Sequence, residues 1–218
     1  MSKEDHDVKI ETEVLGPVFT RRSLLASAGA LGVASLFSST AAQADSPAPY
    51  VIPREFLPTR VRITEGFKPG TIHVYTNFHF LYWIDPEEPG TAIRYAIGVG
   101  ELGRQLRSNT VIRRKAEWPS WTPTRNMIRR RPDLYLRHAG GMAGGPGNPL
   151  GARALYLFQG SRDTMYRIHG THAPHTIGTS VSNGCIRLIN AHVEDLYERV
   201  PLGTTVIVHS DPLPDATS

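Results

Sequence analysis

The chain of 218 residues contains one cysteine, Cys185, so no disulfide can link two parts of its fold. Its stability must therefore come from a buried core, and a domain of this length can form one. The thiol itself is either a small buried hydrophobe or a nucleophile. Gly184 directly before it and the polar residues Ser182 and Asn183 before that favour a nucleophile.

Residues 1–44 have the features of an export signal. Paired arginines precede a weakly apolar stretch, and a small-x-small pattern follows it: Thr20-Arg21-Arg22-Ser23-Leu24-Leu25 and then Ala42-Gln43-Ala44. The paired arginines predict a twin-arginine-like signal and a periplasmic protein. Retention as a membrane anchor is the alternative, but the apolar stretch is well short of the ~20 residues that a spanning helix needs. We expect cleavage after Ala44 and no stable membrane span after processing.

Cleavage would leave 174 of the 218 residues and raise the formal net charge from +4 to +5, because the leader holds four basic and five acidic residues. Much of this positive excess lies in residues 104–137. An exported protein does not share a compartment with nucleic acid, so nucleic acid is not an expected partner. The basic residues either attract an acidic substrate or form an ordinary solvated surface.

The remaining chain predicts one mainly β domain with one or two short helices. Strand-like runs rich in Val, Ile, Tyr and Phe occupy residues 60–64, 71–75, 78–84, 92–100 and 152–159. Helices are predicted at residues 125–130, capped by Thr124, and at residues 191–200, capped by Asn190. Residues 45–69 form a Pro-rich extended lead-in, residues 70–210 the main domain, and residues 211–218 a disordered tail.

Three histidines follow one another at intervals of three: His169, His172 and His175. A metal site is the less favoured interpretation, because Pro174 disfavours a helix and no carboxylate cluster completes a ligand set. A thiol with an ordinary pKa near ~8.5 needs a neighbouring imidazole to act as a nucleophile. His169 ends a strand-like run 16 residues before Cys185, and a hairpin-like return would bring the two together. We therefore predict no metal and no cofactor.

An acyl-transfer site needs donors to the oxyanion as well as a nucleophile and a base, and the residues around the cysteine suggest where those donors lie. Glycine lets a backbone approach a substrate closely. The N–H groups of Gly184 and Cys185 are thus candidate donors to a developing oxyanion.

Several motifs together resemble the YkuD-type L,D-transpeptidase catalytic domain, in the branch that includes ErfK, YbiS, YcfS and YnhG. They are Ile168-His169-Gly170-Thr171, Ile177-Gly178, Ser182-x-Gly184-Cys185-Ile186-Arg187-Leu188, Gly203-Thr204-x-Val206, Trp121-Thr122-Pro123 and Asn148-Pro149-Leu150-Gly151. The resemblance runs from about residue 70 to residue 208. It implies that residues 70–210 form a sandwich-like or barrel-like β domain with the cysteine in a cleft.

The resemblance also implies catalytic roles. Cys185 matches the nucleophile and His169 the base that activates it. Gly170 lies where the family has a residue that orients the histidine, through its backbone carbonyl. Arg187 matches an arginine that positions the nucleophile or an anionic part of the substrate, and a structural ion pair is its alternative role.

The other predicted substrate-binding residues are Trp121, Ser182 and Asn183, although Ser182 is better suited to shaping the turn than to catalysis. Many family members have histidine where this chain has Asn183, so an imidazole is not required there. His172 and His175 are expected to line the cleft or lie on the surface.

The implied activity is peptidoglycan L,D-transpeptidation. Cys185 would form a thioester with a tetrapeptide stem, expel the terminal D-amino acid and pass the acyl group to an amine. That amine belongs to a neighbouring stem, giving a 3→3 cross-link, or to a wall-anchored protein. Carbapenems are implied inhibitors. The alternatives are a carboxypeptidase or amidase that uses water, and a non-catalytic wall-binding module.

Overall fold

The computed structural model describes the backbone of residues 14–17 and all of residues 50–63 and 66–209. In these residues the chain forms twelve strands: β1 (Val14–Pro17), β2 (Thr59–Arg62), β3 (Ile72–Tyr75), β4 (Phe80–Ile84), β5 (Thr91–Ala96), β6 (Val99–Gly100), β7 (Thr110–Glu117), β8 (Arg153–Gln159), β9 (Arg162–His169), β10 (Ser180–Ser182), β11 (Ile186–Arg187) and β12 (Thr205–His209). The α-helices are α1 (Arg125–Arg130), α2 (Pro132–Tyr135) and α3 (Asn190–Arg199). Short 3₁₀ turns occupy Arg54–Phe56, Leu136–His138 and Pro174–Thr176. The mainly β prediction with few short helices is confirmed.

Ten strands form one sheet in the order β1-β2-β5-β4-β3-β12-β7-β8-β9-β11, and β6 and β10 form a separate pair. The strand β12 joins the two halves of the large sheet, since it is parallel to β3 and antiparallel to β7. At the far edge β11 is parallel to β9. The last strands of the chain therefore tie both halves of the sheet together.

The main core lies between the two halves of this sheet. One half contributes Ile72, Leu81, Ile93 and other side chains of β3, β4 and β5, and the other half contributes Leu155, Ile168 and their neighbours. These residues belong to a single buried cluster, so the sheet folds over a shared interior in a sandwich-like way. Each buried aliphatic side chain contributes roughly 1.5–3 kcal/mol relative to an exposed one.

The helix α3 closes this core with one apolar face. Val193 and Leu196 are fully buried in the same cluster. Tyr95 Oη donates to Asp195 Oδ2 at 2.5 Å, which ties the helix to β5. Lys115 Nζ donates to the carbonyls of Tyr197 and Val200 and so satisfies the C-terminal end of the helix.

The predicted cap of this helix is wrong in its detail. Asn190 is the first helical residue, and its side-chain oxygen accepts from the N–H groups of Ala152 and Thr171, both at 3.1 Å. A Cβ at either Gly151 or Gly170 would overlap that oxygen. Asn190 therefore clamps the two chain segments that lead to the functional site. The cap predicted for α1 is confirmed, because Thr124 Oγ1 accepts from the Met127 N–H at 3.2 Å.

The N-terminal predictions are only partly covered by the described residues. Strand β2 lies within the region predicted as an extended lead-in and corresponds to the strand-like run predicted at residues 60–64, and its pairing with β5 makes it an inner strand of the large sheet. Strand β1 lies within the predicted signal segment and pairs with β2. The rest of that segment and the predicted tail at 211–218 lie outside the described residues. No helix in the described part of the chain is long and apolar enough to cross a membrane.

Candidate active site

The pairing of β9 with β11 brings the predicted catalytic residues to one face of the sheet. Ile186 lies opposite Ile168, and Arg187 lies opposite His169. Both isoleucines point into the main core. Because successive side chains of a strand point to opposite faces, His169, Arg187 and the preceding Cys185 share the face away from the core.

His169 is buried, and its ring is held in one orientation. Its Nδ1 lies 2.5 Å from the carbonyl oxygen of Gly170. A carbonyl only accepts hydrogen bonds, so Nδ1 of the neutral ring carries the proton. Burial, followed by the positive charge of Arg187, lowers the pKa of His169 to about 3, against the opposing effect of backbone hydrogen bonds to Gly170 and Leu150. The imidazole is therefore neutral at physiological pH.

The sulfur of Cys185 lies against the backbone edge of β9. Its Sγ is 3.9 Å from the Met165 carbonyl oxygen. Burial raises the pKa of the thiol above its ordinary value, although the Arg167 backbone N–H and the charges of Arg167 and Arg187 oppose the shift. The resting site therefore holds a neutral thiol and a neutral imidazole rather than a thiolate–imidazolium pair.

The turn that presents Cys185, residues 182–185, is fixed by a buried hydroxyl. We call it the nucleophile turn. Ser182 Oγ donates to the Cys185 carbonyl at 2.7 Å and accepts from the Gly184 N–H at 3.1 Å. Ser182 is 1% exposed, so the substrate contact predicted for it is corrected to a positioning role within the turn. The Gly184 N–H, predicted as an oxyanion donor, is occupied by this internal bond.

Gly184 is also where the turn meets the rest of the site most closely. Its φ is +130°, and a Cβ there would lie 2.6 Å from both the Arg104 carbonyl oxygen and a Tyr166 ring carbon. Tyr166 Oη in turn donates to the Arg104 carbonyl at 3.0 Å. Gly100 faces Gly184 backbone to backbone. Only glycine fits at this position.

Residues 121–142 lie over the cleft, and we call them the covering segment. Trp121 and Met142 exchange two backbone hydrogen bonds, of 2.9 and 2.7 Å, which close the segment at its base. Asn183 of the nucleophile turn holds the middle of the segment, because its amide donates to Tyr135 Oη at 3.0 Å and accepts from Arg130 Nη2 at 2.9 Å. The departure from the family histidine at Asn183 thus serves a contact with the covering segment.

The cleft between these parts has a volume of about 610 Å³. Of the residues predicted from sequence, Cys185, Asn183 and Trp121 line it, whereas the buried Ser182 and His169 are not among its lining residues. His172 and His175 are exposed and lie outside the lining.

Arg187 is held between two strands. Its backbone exchanges hydrogen bonds of 2.7 and 2.9 Å with Gly98. Its Nε is buried and has no hydrogen-bond partner among the described residues, and burial lowers the pKa of the guanidinium. Within residues 50–63 and 66–209 no carboxylate forms an ion pair with Arg187, so its alternative role as a structural ion-pair partner is not supported there.

Several lining residues were missed by the sequence analysis: Arg104, Arg114, Leu150, Tyr156, Tyr166 and Arg167. Strand alternation could have identified Tyr156 and Arg167, since both lie on predicted strand-like runs. Arg114 could not be found in this way because β7, with its run of charged residues, was not predicted as a strand. In the described part of the chain no three His, Cys, Asp or Glu side chains are grouped to hold a metal ion.

The comparison with known proteins agrees with this geometry. Residues 69–208 match the YkuD family model, described as the L,D-transpeptidase catalytic domain. The Probable L,D-transpeptidases ErfK/SrfK and YbiS of Escherichia coli (strain K12) are 33% and 36% identical to the chain over 159 residues. The alignments cover 72% and 68% of this chain and 49% of each relative, so the chain spans about half the length of these curated relatives.

Two solved structures are also similar. A Brucella melitensis protein described as a Probable carnitine operon oxidoreductase is 52% identical with a TM-score of 0.50, over 72% of this chain and 96% of that chain. Its name describes that protein alone. The Ldtfm–avibactam carbamoyl enzyme is 14% identical with a TM-score of 0.50, over 67% of this chain and 51% of that chain, and supports the fold.

The family model covers more than half of the chain and includes both Cys185 and His169. The chain therefore belongs to the L,D-transpeptidase catalytic domain family.

Proposed function

We propose that this protein is a peptidoglycan L,D-transpeptidase that works by a two-step acyl transfer on Cys185. The observation that supports the proposal is the β9–β11 pairing, which puts the buried His169 on the same face of the sheet as Cys185, a residue that lines the cleft. The acyl donor is a tetrapeptide stem. The periplasm, reached through a twin-arginine-like signal, is the proposed location.

In the first step the sulfur attacks the carbonyl that precedes the terminal D-amino acid. The S–C bond forms while the thiol proton passes to Nε2 of His169, because the resting thiol and imidazole are both neutral. The imidazolium then gives this proton to the leaving nitrogen as the C–N bond breaks. A thioester on Cys185 and a free D-amino acid result.

In the second step an amine attacks the thioester. His169 takes a proton from the attacking amine and returns one to the sulfur as the S–C bond breaks. A side-chain amine of a neighbouring stem gives a 3→3 cross-link, and a lysine of a wall-anchored protein gives attachment of that protein.

The developing oxyanion needs donors in both steps. Since the Gly184 N–H is bonded to Ser182, we assign this role to the Cys185 N–H. Gly170 orients His169 through its carbonyl, and the positive charge of Arg187 supports negative charge on the sulfur.

The test is product analysis on tetrapeptide muropeptides with the full chain. We expect 3→3 dimers from the wild type and none from Cys185→Ala, with a loss of at least about 100-fold for His169→Gln. His172→Gln is the matched control, because His172 is exposed and outside the cleft. Trimmed tripeptides without dimers would identify water as the acceptor.

Incubation with meropenem gives a second readout. We expect a covalent mass adduct on the wild type that is absent from Cys185→Ala. Unchanged wall modification and unchanged adduct formation in Cys185→Ala would favour a non-catalytic wall-binding module instead.

A further inference from the structure

The cleft contains four arginines, but only two of them are neutralised by carboxylates. Arg104 pairs with Glu101 at 2.7 Å, and Arg167 binds both oxygens of Asp163 at 2.7 and 2.8 Å. Among the described residues, Arg114 and Arg130 form no ion pair, and no carboxylate lines the cleft. The charge of Arg114 also acts on Asp163, but that carboxylate is already held by Arg167. The cleft therefore carries excess positive charge.

Arg114 is part of a row that leads to the nucleophile. It lies opposite Tyr156 on the next strand, and Tyr156 lies opposite Arg167. Cys185 comes next, directly before β11, which pairs with β9. Neighbouring strands are about 4.8 Å apart, so the backbones of Arg114 and Cys185 are roughly 14 Å apart. The Arg114 guanidinium lies 4.4 Å from the centre of the Tyr156 ring and so extends toward the cysteine.

Arg130 reaches the same cleft from the covering segment. Its Nη2 donates to Asn183 Oδ1 at 2.9 Å, and Asn183 is two residues from Cys185. A neutral amide satisfies one donor of the guanidinium but leaves its charge uncompensated. The two cations thus enter the cleft from different elements, Arg130 through its contact with Asn183 of the nucleophile turn and Arg114 from the row of strand residues.

We infer that Arg114 and Arg130 determine specificity by binding carboxylates of the acyl-donor stem, so that stems with free carboxylates react faster than amidated stems. This inference rests on the proposed function. Guanidinium groups bind carboxylates with paired, charge-assisted hydrogen bonds, and a carboxamide cannot replace the charge. An extended peptide advances about 3.3 Å per residue, so a carboxylate two residues before the scissile carbonyl falls within reach of Arg114.

A pair of small reagents tests the cation site without relying on any peptide substrate. Iodoacetate and iodoacetamide both alkylate thiols but differ in charge, and this chain offers one cysteine. Relative to a free thiol, we expect the wild type to favour iodoacetate by about tenfold at low salt. Arg114→Gln combined with Arg130→Gln should lower this ratio at least threefold, and added salt should lower it in the wild type. A changed thiol pKa would cancel in the ratio.

The stem arm uses tetrapeptide donors with free or amidated side carboxylates and follows thioester formation by intact mass. Each single variant should lower kcat/KM for the free-carboxylate donor by about tenfold and change that for the amidated donor by less than twofold. Donors amidated at only one residue show which carboxylate each arginine binds. Arg129→Gln is the matched control, since Arg129 is on the same helix but outside the cleft lining.

The outcomes separate this inference from the proposed function. A wild type that reacts equally with both donors, or variants that lose both donors equally, would overturn the inference while leaving the transpeptidase proposal intact. A charge-dependent reagent ratio without acylation by any stem would support the cation site and contradict the proposed function. An unchanged reagent ratio in the double variant would contradict the cation site directly.

Discussion

The two sides of the cleft are built in opposite ways. In the nucleophile turn Ser182 and Gly184 are buried, the hydroxyl of Ser182 bonds the turn to itself, and the packing at Gly184 is so close that no side chain fits there. The covering segment has no buried residue in α1, in α2 or in the 3₁₀ turn that follows. Asn183 ties it to the nucleophile turn through Arg130 and Tyr135.

This difference fits the separate demands of the proposed acyl transfer. The reacting sulfur must be held in one geometry, because small displacements of a reacting group lower the rate strongly. Substrate and product must still enter and leave, and segments with few buried contacts open at low free energy. We interpret the nucleophile turn, residues 182–185, and the strand residues around it as the fixed floor of the site. The covering segment, residues 121–142, is its weakly held cover.

The largest expected effect comes from placing a side chain in the floor. Gly184→Ala would set a Cβ against the Arg104 carbonyl and the Tyr166 ring and force a strained φ of +130°. We expect the free energy of unfolding to fall by roughly 3 kcal/mol and alkylation of Cys185 to slow by about 100-fold.

Gly203→Ala is the control for that change. Its φ of +91° is also positive, but nothing lies within 4 Å of a Cβ there. It should lower stability by only about 1 kcal/mol and leave Cys185 reactivity unchanged. Equal effects in both variants would show that the close packing at Gly184 does not fix the turn.

Acid should destabilise the floor through His169. The pKa of His169 is about 3 in the folded protein, against an ordinary 6.5, so between these values the unfolded chain binds a proton that the folded protein does not. The stability contribution of the neutral ring is complete above pH 6.5 and declines as the pH falls toward 3. Between pH 6.5 and about pH 4.5 we expect the wild type to lose on the order of 2 kcal/mol of its free energy of unfolding through His169. The His169→Gln variant should not show this loss.

Urea unfolding at a series of pH values measures this difference. The pKa values of His73 and His192 are both lowered to about 4, mainly by burial, so part of the acid sensitivity should remain in the variant. His172→Gln, at an exposed position, should behave as the wild type. Identical pH profiles for His169→Gln and the wild type would mean that His169 titrates near its ordinary pKa.

Ser182→Ala should weaken the floor to a smaller extent. It leaves the Gly184 N–H and the Cys185 carbonyl without their hydroxyl partner in a buried turn. We expect a decrease of about 1–2 kcal/mol in the free energy of unfolding and slower acylation of Cys185. Chemical denaturation checks the first effect, with the exposed Ser161→Ala as control. If the free energy of unfolding of Ser182→Ala equals that of the wild type, the packing at Gly184 and not the hydroxyl holds the turn.

The smallest effect on global stability should come from releasing the cover. Asn183→Ala removes the bonds to Arg130 and Tyr135, which are exposed or half-buried, so stability should change by less than about 1 kcal/mol. Hydrogen exchange of the backbone amides in residues 125–138 should nevertheless become faster. Tyr135→Phe, which removes one of the two bonds, should give an intermediate rate. Unchanged exchange would contradict the role of Asn183 in holding the cover.

The sequence predicted the strands whose apolar residues alternate or run together, such as β3, β4 and β8. Strand β7 was missed by the sequence analysis, because Arg113 and Arg114 are exposed and Lys115 is only half-buried, so this strand is recognised only by its partners. The sequence also predicted that the strand-like run containing β5 continues to residue 100. The structure ends that strand at Ala96, and at Gly98 the backbone approaches the Thr176 carbonyl so closely that a Cβ would lie 2.7 Å from it.

The candidate site was predicted where a residue's chemistry was unusual for its context, as for a lone cysteine after glycine and a histidine at the end of a strand. Residues that act through position were harder to identify. Ser182 was predicted as a substrate-binding residue but is buried within the nucleophile turn, and Asn190 was expected to cap α3 but clamps Ala152 and Thr171. Such roles depend on neighbours that are distant in the chain.

The sequence by itself determined the family and a mainly β domain and predicted the nucleophile, because these follow from residue types and local spacing. Only the tertiary structure decided the protonation states of Cys185 and His169, since burial shifts the pKa of each toward its neutral form. It also decided that Arg114 and Arg130 meet in one cleft without carboxylate partners among the described residues. Burial and long-range pairing are properties of the fold, and no local stretch of sequence contains them.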